Sequence, residues 1–280
     1  MIRDQGLTSK IWRFAIWAVA GLFVLNLLAV IAAVIVNSFA TRWLGTWLPR
    51  GWTTKWYFSA WDEFQLSSIV LVTFEMVFAV VIISGILGVM TAYALARRDF
   101  PGKRAIVLLF LLPLLIPPLT YGIPLATVLY QLGLGGTFWG VVLINLVPSL
   151  PFVVLVMIPF IEQIDPRIEA AARVFGAGTI SLFIRILLPL LLPGMLAALL
   201  LVLVRTLAMF ELTFLIAGPT TQTLVVSLYY AVFASGVRAS QSIDAMAVIY
   251  MVTTLFWLVI ALQFVNPTQI VARAKQQSSH

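Results

Sequence analysis

The stretch DPRIEAAARVFGAGTISLFIRILLPLLLPG, Asp165 to Gly194, decides how the chain is read, because it sets a short polar helix signal directly against a long apolar run. Asp165 can accept a hydrogen bond from the first helical turn. Pro166 suits the first helical position, where an N–H would have no intrahelical partner anyway. Ile168, Ala171, Ala172 and Phe175 then recur at spacings of three or four, giving one small apolar face, and Gly176 or Gly178 ends the segment. A helix of about three turns cannot cross a bilayer, which takes about 20 residues. It is therefore expected at the membrane edge, its face meeting protein, with Phe175 as an anchor. A helix lying on lipid would pair Lys or Arg with large apolar residues, not with alanines.

Outward from this island the chain is built for lipid. Of its 280 residues 62% are apolar or aromatic and 10% are charged, far from the soluble mix of about half apolar and a quarter charged. Apolar runs place six spans, at about 11–38, 67–95, 105–130, 138–161, 187–217 and 245–265. The expected fold is all-α: a polytopic membrane protein of about six transmembrane helices and one domain, 1–280. The first run is longer than the 7 to 15 apolar residues of a signal peptide core and is expected to be retained. A transmembrane barrel would alternate instead.

Twelve Lys and Arg residues fall on one side of these spans: Arg3, Lys10, Arg13, Arg97, Arg98, Lys103, Arg104, Arg167, Arg173, Arg185, Arg273 and Lys275. Only Arg42, Arg50, Lys55 and Arg238 fall on the other. The positive-inside rule then puts both termini and the 162–186 loop in the cytoplasm. The net charge of +7 follows from orientation and from anionic lipid head groups, without nucleic acid as a partner.

Outside, residues 40–66 carry Trp43, Trp47, Trp52, Trp56, Tyr57 and Trp61, an interfacial aromatic belt or a docking surface for an external partner. Residues 218–243 form a second outer segment with room for a short helix. Prolines 113, 117, 118, 124, 148, 151 and 159 crowd the third and fourth spans. Each removes a backbone hydrogen bond that lipid cannot replace, so the bends need neighbouring helices or a water-filled pathway.

Catalysis has little to work with. Cysteine is absent and the sole histidine is His280, so zinc sites and Ser-His or Cys-His triads have no ligands or bases. No catalytic or metal residue is assigned, and no G-x-x-x-x-G-K-[ST] phosphate loop occurs. Charges inside the spans are Glu75, Arg205 and Glu211. Each costs roughly 2.5–3.5 kcal/mol at a helix centre, so each should face protein or water. Glu75 can pair with Arg205; otherwise these groups, with Asn145 and Tyr121, are candidates to line a solute pathway.

The island resembles the cytoplasmic signature loop of binding-protein-dependent ATP-binding cassette importer permeases: Glu-Ala-Ala, then a Gly, then Ile-x-Leu-Pro. Aligned on Gly176, the tail matches at Ile186, Leu188 and Pro189. Ala170 takes the glutamate position, Ala171 and Ala172 complete the pair, and Glu169 stands one residue early. Further resemblance lies in LPRGWTTKWY (48–57), DFPGKR (99–104), PPLTYGIPL (117–125) and FELTFLIAGPTTQTLVV (210–226).

The resemblance implies a type I permease subunit, like those for maltose or for spermidine/putrescine, in a bacterial inner membrane. The 165–178 segment would be a coupling helix resting on an ATPase dimer. Its further partners would be a second permease chain and a periplasmic solute-binding protein, with ATP and Mg held by the ATPase. A fixed charge at Arg205 would oppose polycations and tolerate neutral or anionic solutes, so a sugar or acidic sugar derivative is expected; the motifs also resemble those of polyamine, opine or organophosphonate importers. The competing class is an ion-gradient transporter or channel, which would not need the inserted helix.

Overall fold

The computed structural model describes residues 7–233 and 239–264; Arg238, His280 and the basic tail lie outside them. Every regular element among these residues is helical: α1 (Leu7–Ser38), α2 (Lys55–Glu63), α3 (Leu66–Arg97), α4 (Lys103–Leu115), α5 (Pro118–Gln131), α6 (Phe138–Glu162), α7 (Pro166–Val174), α8 (Thr179–Leu182), α9 (Leu188–Leu207), α10 (Glu211–Ile216), α11 (Leu224–Phe233) and α12 (Ser240–Phe264). Five helical segments are long and apolar enough to cross a membrane: Trp12–Ser38, Leu66–Arg97, Phe138–Glu162, Thr179–Leu207 and Ser240–Ile260. A sixth is the pair α4 and α5, bent by 101°.

The bend has a local cause. A residue before proline is pushed out of the α region by the ring's Cδ. With Pro117 and Pro118 consecutive, two residues in a row are pushed: Ile116 (ψ 137°) and Pro117 (ψ 135°) are both extended. Pro113, Pro124, Pro148, Pro151 and Pro159 stand alone and stay inside helices.

The fifth span differs from its expected limits. It begins at Thr179, not near 187, because Ile180 to Ile184 continue the apolar run and the lone Arg185 does not stop it. It ends at Leu207, and after a short break α10 follows as a separate helix. Between α8 and α9 the chain winds as a π-turn, Phe183–Leu187. Pro189 lacks the N–H that would bond the Arg185 carbonyl, and its ring crowds that carbonyl, so the turn widens.

The chain divides into two compact units, one of residues 1–65 and 231–251, the other of 66–230 and 252 onward. In the first, α1 leaves its large apolar side chains exposed from Trp12 to Ile35. The loop after it is more regular than expected: an isolated bridge joins Ala40 to Trp52, α2 follows, and Trp56 Nε1 donates to the Ala40 carbonyl at 2.8 Å. Trp47, Trp52 and Trp61 are exposed.

The second unit holds the core, where α3, α6 and α9 pack on one another. Small residues let the backbones approach. A Cβ on Gly88 would stand 2.7 Å from Val153, and one on Gly194 2.6 Å from Phe160. Thr73 of α3 accepts a hydrogen bond from the Leu224 N–H at 2.9 Å, satisfying an orphan donor at the start of α11. Trp257 packs its ring against Phe74 and Phe78.

Candidate functional site

Two groups of polar side chains stand out in the larger unit. The first surrounds α7. Asp165 caps it as expected, its Oδ1 accepting from the Arg167 N–H at 2.9 Å, and Pro166 is the first helical residue. Gly176 ends the segment in the left-handed region, φ +82°, where a side chain would be strained. Gly178 is extended and precedes α8, so it begins the next helix and does not end this one.

The predicted face splits in two. Ile168, Ala170 and Ala171 are exposed, and Phe175, 90% exposed, forms an apolar tip with Val174. Ala172 turns inward with Glu169, which is only 8% exposed. Ala172 therefore packs against the bundle and leaves the outward face to its neighbours. Among the later motif residues, Ile186 lies in the π-turn and Leu188 and Pro189 open α9.

Glu169 is held by α3. Its Oε1 accepts from Arg97 Nε at 2.7 Å and its Oε2 from Tyr93 Oη at 2.6 Å. Arg97 Nη2 also donates to the Ile164 carbonyl at 2.7 Å, on the segment just before α7. Both carboxylate oxygens and two guanidinium nitrogens are thus used, with the pair's side chains 13% and 11% exposed. Removing one partner of such a buried pair costs about 3–5 kcal/mol. Neither Arg97 nor Tyr93 was among the expected site residues. The sole sequence signal was Arg97 at a span end, which reads equally as topology.

The second group lies around α10. Asn145 is buried on α6 and its Nδ2 donates to the Thr213 hydroxyl at 3.1 Å and to the Val141 carbonyl at 2.9 Å. Two turns along α6, Phe152 carries the Arg205 guanidinium over its ring, 5.7 Å from the centroid, within cation–π range. Tyr121 of α5 lies within electrostatic reach of both Arg205 and Glu211. Gly122 beside it admits α10, since a Cβ there would stand 2.7 Å from Leu212. Phe210, Phe214, Tyr229 and Tyr230 add a ring cluster next to Glu211, neighbouring centroids 4.9–5.9 Å apart.

Of the five expected pathway residues, Tyr121 lies near Arg205 and Glu211, and Asn145 reaches α10 through Thr213. Glu75 does not join them. It lies exposed on α3 among Leu71, Phe78 and Ile82, and it forms no ion pair with Arg205, contrary to the expected pairing. The Tyr121 hydroxyl and Asn145 Oδ1 are buried without a hydrogen-bond partner in the chain.

The profile of the binding-protein-dependent transport system inner membrane component family matches residues 84–270. The spermidine/putrescine transport system permease protein PotC of Escherichia coli (strain K12) is 28% identical over 255 residues, 89% of this chain and 90% of its own. The diacetylchitobiose uptake system permease protein NgcG of Streptomyces coelicolor is 32% identical over 143 residues, 51% of this chain and 47% of its own. The sulfate transport system permease protein CysT of Synechococcus elongatus is 35% identical over 130 residues, 42% of this chain and 47% of its own. In fold, the chain is similar to a bacterial ABC transporter involved in the import of the acidic polysaccharide alginate, with TM-score 0.74 and 17% identity over 92% of this chain and 98% of that one.

Proposed function

Given that this chain belongs to the binding-protein-dependent transport system inner membrane components, the permease subunits of ABC importers, we propose that it carries a small polar solute inward by alternating access. The observation that carries this reading is the short α7, held between two spans with an exposed apolar tip at Phe175. Such a knob fits a groove on a motor subunit, and rigid-body closure of an ATPase dimer around ATP and Mg can be passed through it into rocking of the spans. In this reading α7 and both termini are cytoplasmic, a second permease chain completes the pathway, and a periplasmic protein delivers solute. Residues 1–280 serve as one permease domain.

Replacing Phe175 by Asp puts a charge into the joint. In the reconstituted complex this should weaken ATPase association about a hundredfold, the scale of a central anchor lost from an interface. Association and uptake unchanged in that variant would falsify the joint.

For the solute we favour a sugar or acidic sugar derivative. Support comes from the polar and aromatic groups near α10: Arg205, the Asn145 amide, the Tyr121 hydroxyl and the ring cluster beside Glu211. A fixed cation in a low-dielectric passage disfavours polycations. A second reading, polyamine uptake, is favoured by the likeness to PotC along nearly the whole chain. Competition for uptake by unlabelled uronate and by spermidine separates them: only the solute class carried should compete.

A further inference from the structure

We infer that Arg97, with Tyr93, fixes α7 to α3, so that the two move as one lever during transport. The inference rests on the coupling role proposed for α7 and adds where the motion goes next.

The geometry confines α7 from one side. Arg97 spans the segment before the helix and a residue in its second turn, through the Ile164 carbonyl and Glu169 Oε1. Tyr93, one turn back on α3, takes the other carboxylate oxygen and sets its ring edge against Phe183, 6.0 Å away, just beyond α8. The end of α3 thus holds the chain before, within and after α7. α7 also packs on α8, the start of the fifth span, and buries Ala172 in the core; the Arg97 and Tyr93 side chains add a directional tie to α3.

Glu169 and Phe175 divide the labour. The tip is exposed and free for a partner, while the carboxylate is buried with both of its oxygens engaged by α3. A push on the tip reaches α3 through charge-assisted hydrogen bonds, which are short and directional. From α3 it enters the core directly, because α3 packs most closely on α6, the helix bearing Asn145 and Phe152. Arg97 is accordingly a positioning residue that acts through Glu169.

The chain contains no cysteine, so introduced pairs label cleanly. Spin labels replacing the exposed Ala94 on α3 and Ala170 on α7 report their separation in the reconstituted complex. One narrow distance distribution, the same with and without ATP, is expected in the native background, and a broad one in Arg97→Met. Uptake per ATP hydrolysed should fall about tenfold in Arg97→Met and about threefold in the milder Tyr93→Phe. The charge swap Arg97→Glu with Glu169→Arg should recover at least half of the loss, which a purely structural defect would not.

A native separation that changes on ATP binding overturns the lever. So does unaltered uptake per ATP in both single variants. The coupling role of α7 is judged separately by Phe175→Asp: lost association there with a mobile Ala94–Ala170 distance keeps the joint and discards the lever.

Discussion

The surroundings of α7 and of α10 use the same kinds of side chain to opposite ends. Around α7, an arginine, a glutamate and a tyrosine satisfy one another almost completely. Around α10, Tyr121 lies within electrostatic reach of Arg205 and Glu211, yet Arg205 rests on a ring and the Tyr121 hydroxyl bonds to nothing in the chain. A closed network stabilises one geometry. Donors and acceptors left open in a dry site cost free energy, and they repay it only when something polar enters.

Four substitutions put this contrast at risk. Glu169→Ala strands a buried guanidinium and should lower stability by about 3–5 kcal/mol, seen as a lower unfolding temperature in detergent. An unchanged melt would mean that the network is not closed. Tyr93→Phe removes one hydrogen bond to a charged group and should cost about 1.5–3 kcal/mol in the same assay.

Arg205→Ala belongs to the open group. Stability should hold, because no partner is left stranded, while the KM for an acidic solute rises about tenfold, or about 1.4 kcal/mol, with kcat little changed. A stability loss as large as that of Glu169→Ala would place Arg205 in the scaffold. Tyr121→Phe should be the quietest, within about 0.5 kcal/mol in unfolding, since its hydroxyl has no partner to lose. The two tyrosines, alike in sequence terms, should thus separate clearly when measured side by side.

Much of the scaffold was legible from residue order alone. The apolar runs mark the spans because a bilayer demands length and hydropathy and little else. Asp165-Pro166 announces α7 through backbone sterics that act within one or two residues, whereas the crowded prolines announced bends in general without singling out Pro117-Pro118 as the break. Pairing between spans was not legible. Arg97 and Glu169 are 72 positions apart, and Glu75 was matched to the wrong neighbourhood. A helix that is apolar on every side carries no stripe to say which face is buried, so the orientation of Glu75 on α3 had no signal. The division of the α7 face was hidden for a different reason. Alanine suits both an interior and a docking face, and only the partners of Glu169 show which way Ala172 turns.

The widened turn at Phe183–Leu187 has a consequence for anyone drawing a helical wheel through the fifth span. One surplus residue advances the phase by about 100°, so positions beyond Leu188 face a quarter-circle or more away from where an unbroken spiral would aim them. Pro189→Ala restores the missing N–H and removes the ring. If the spiral then rewinds, Arg205 swings off Phe152 with no change to its own surroundings in sequence. A proline sixteen positions away is, in that sense, the compass for the span's only cation above the π-turn.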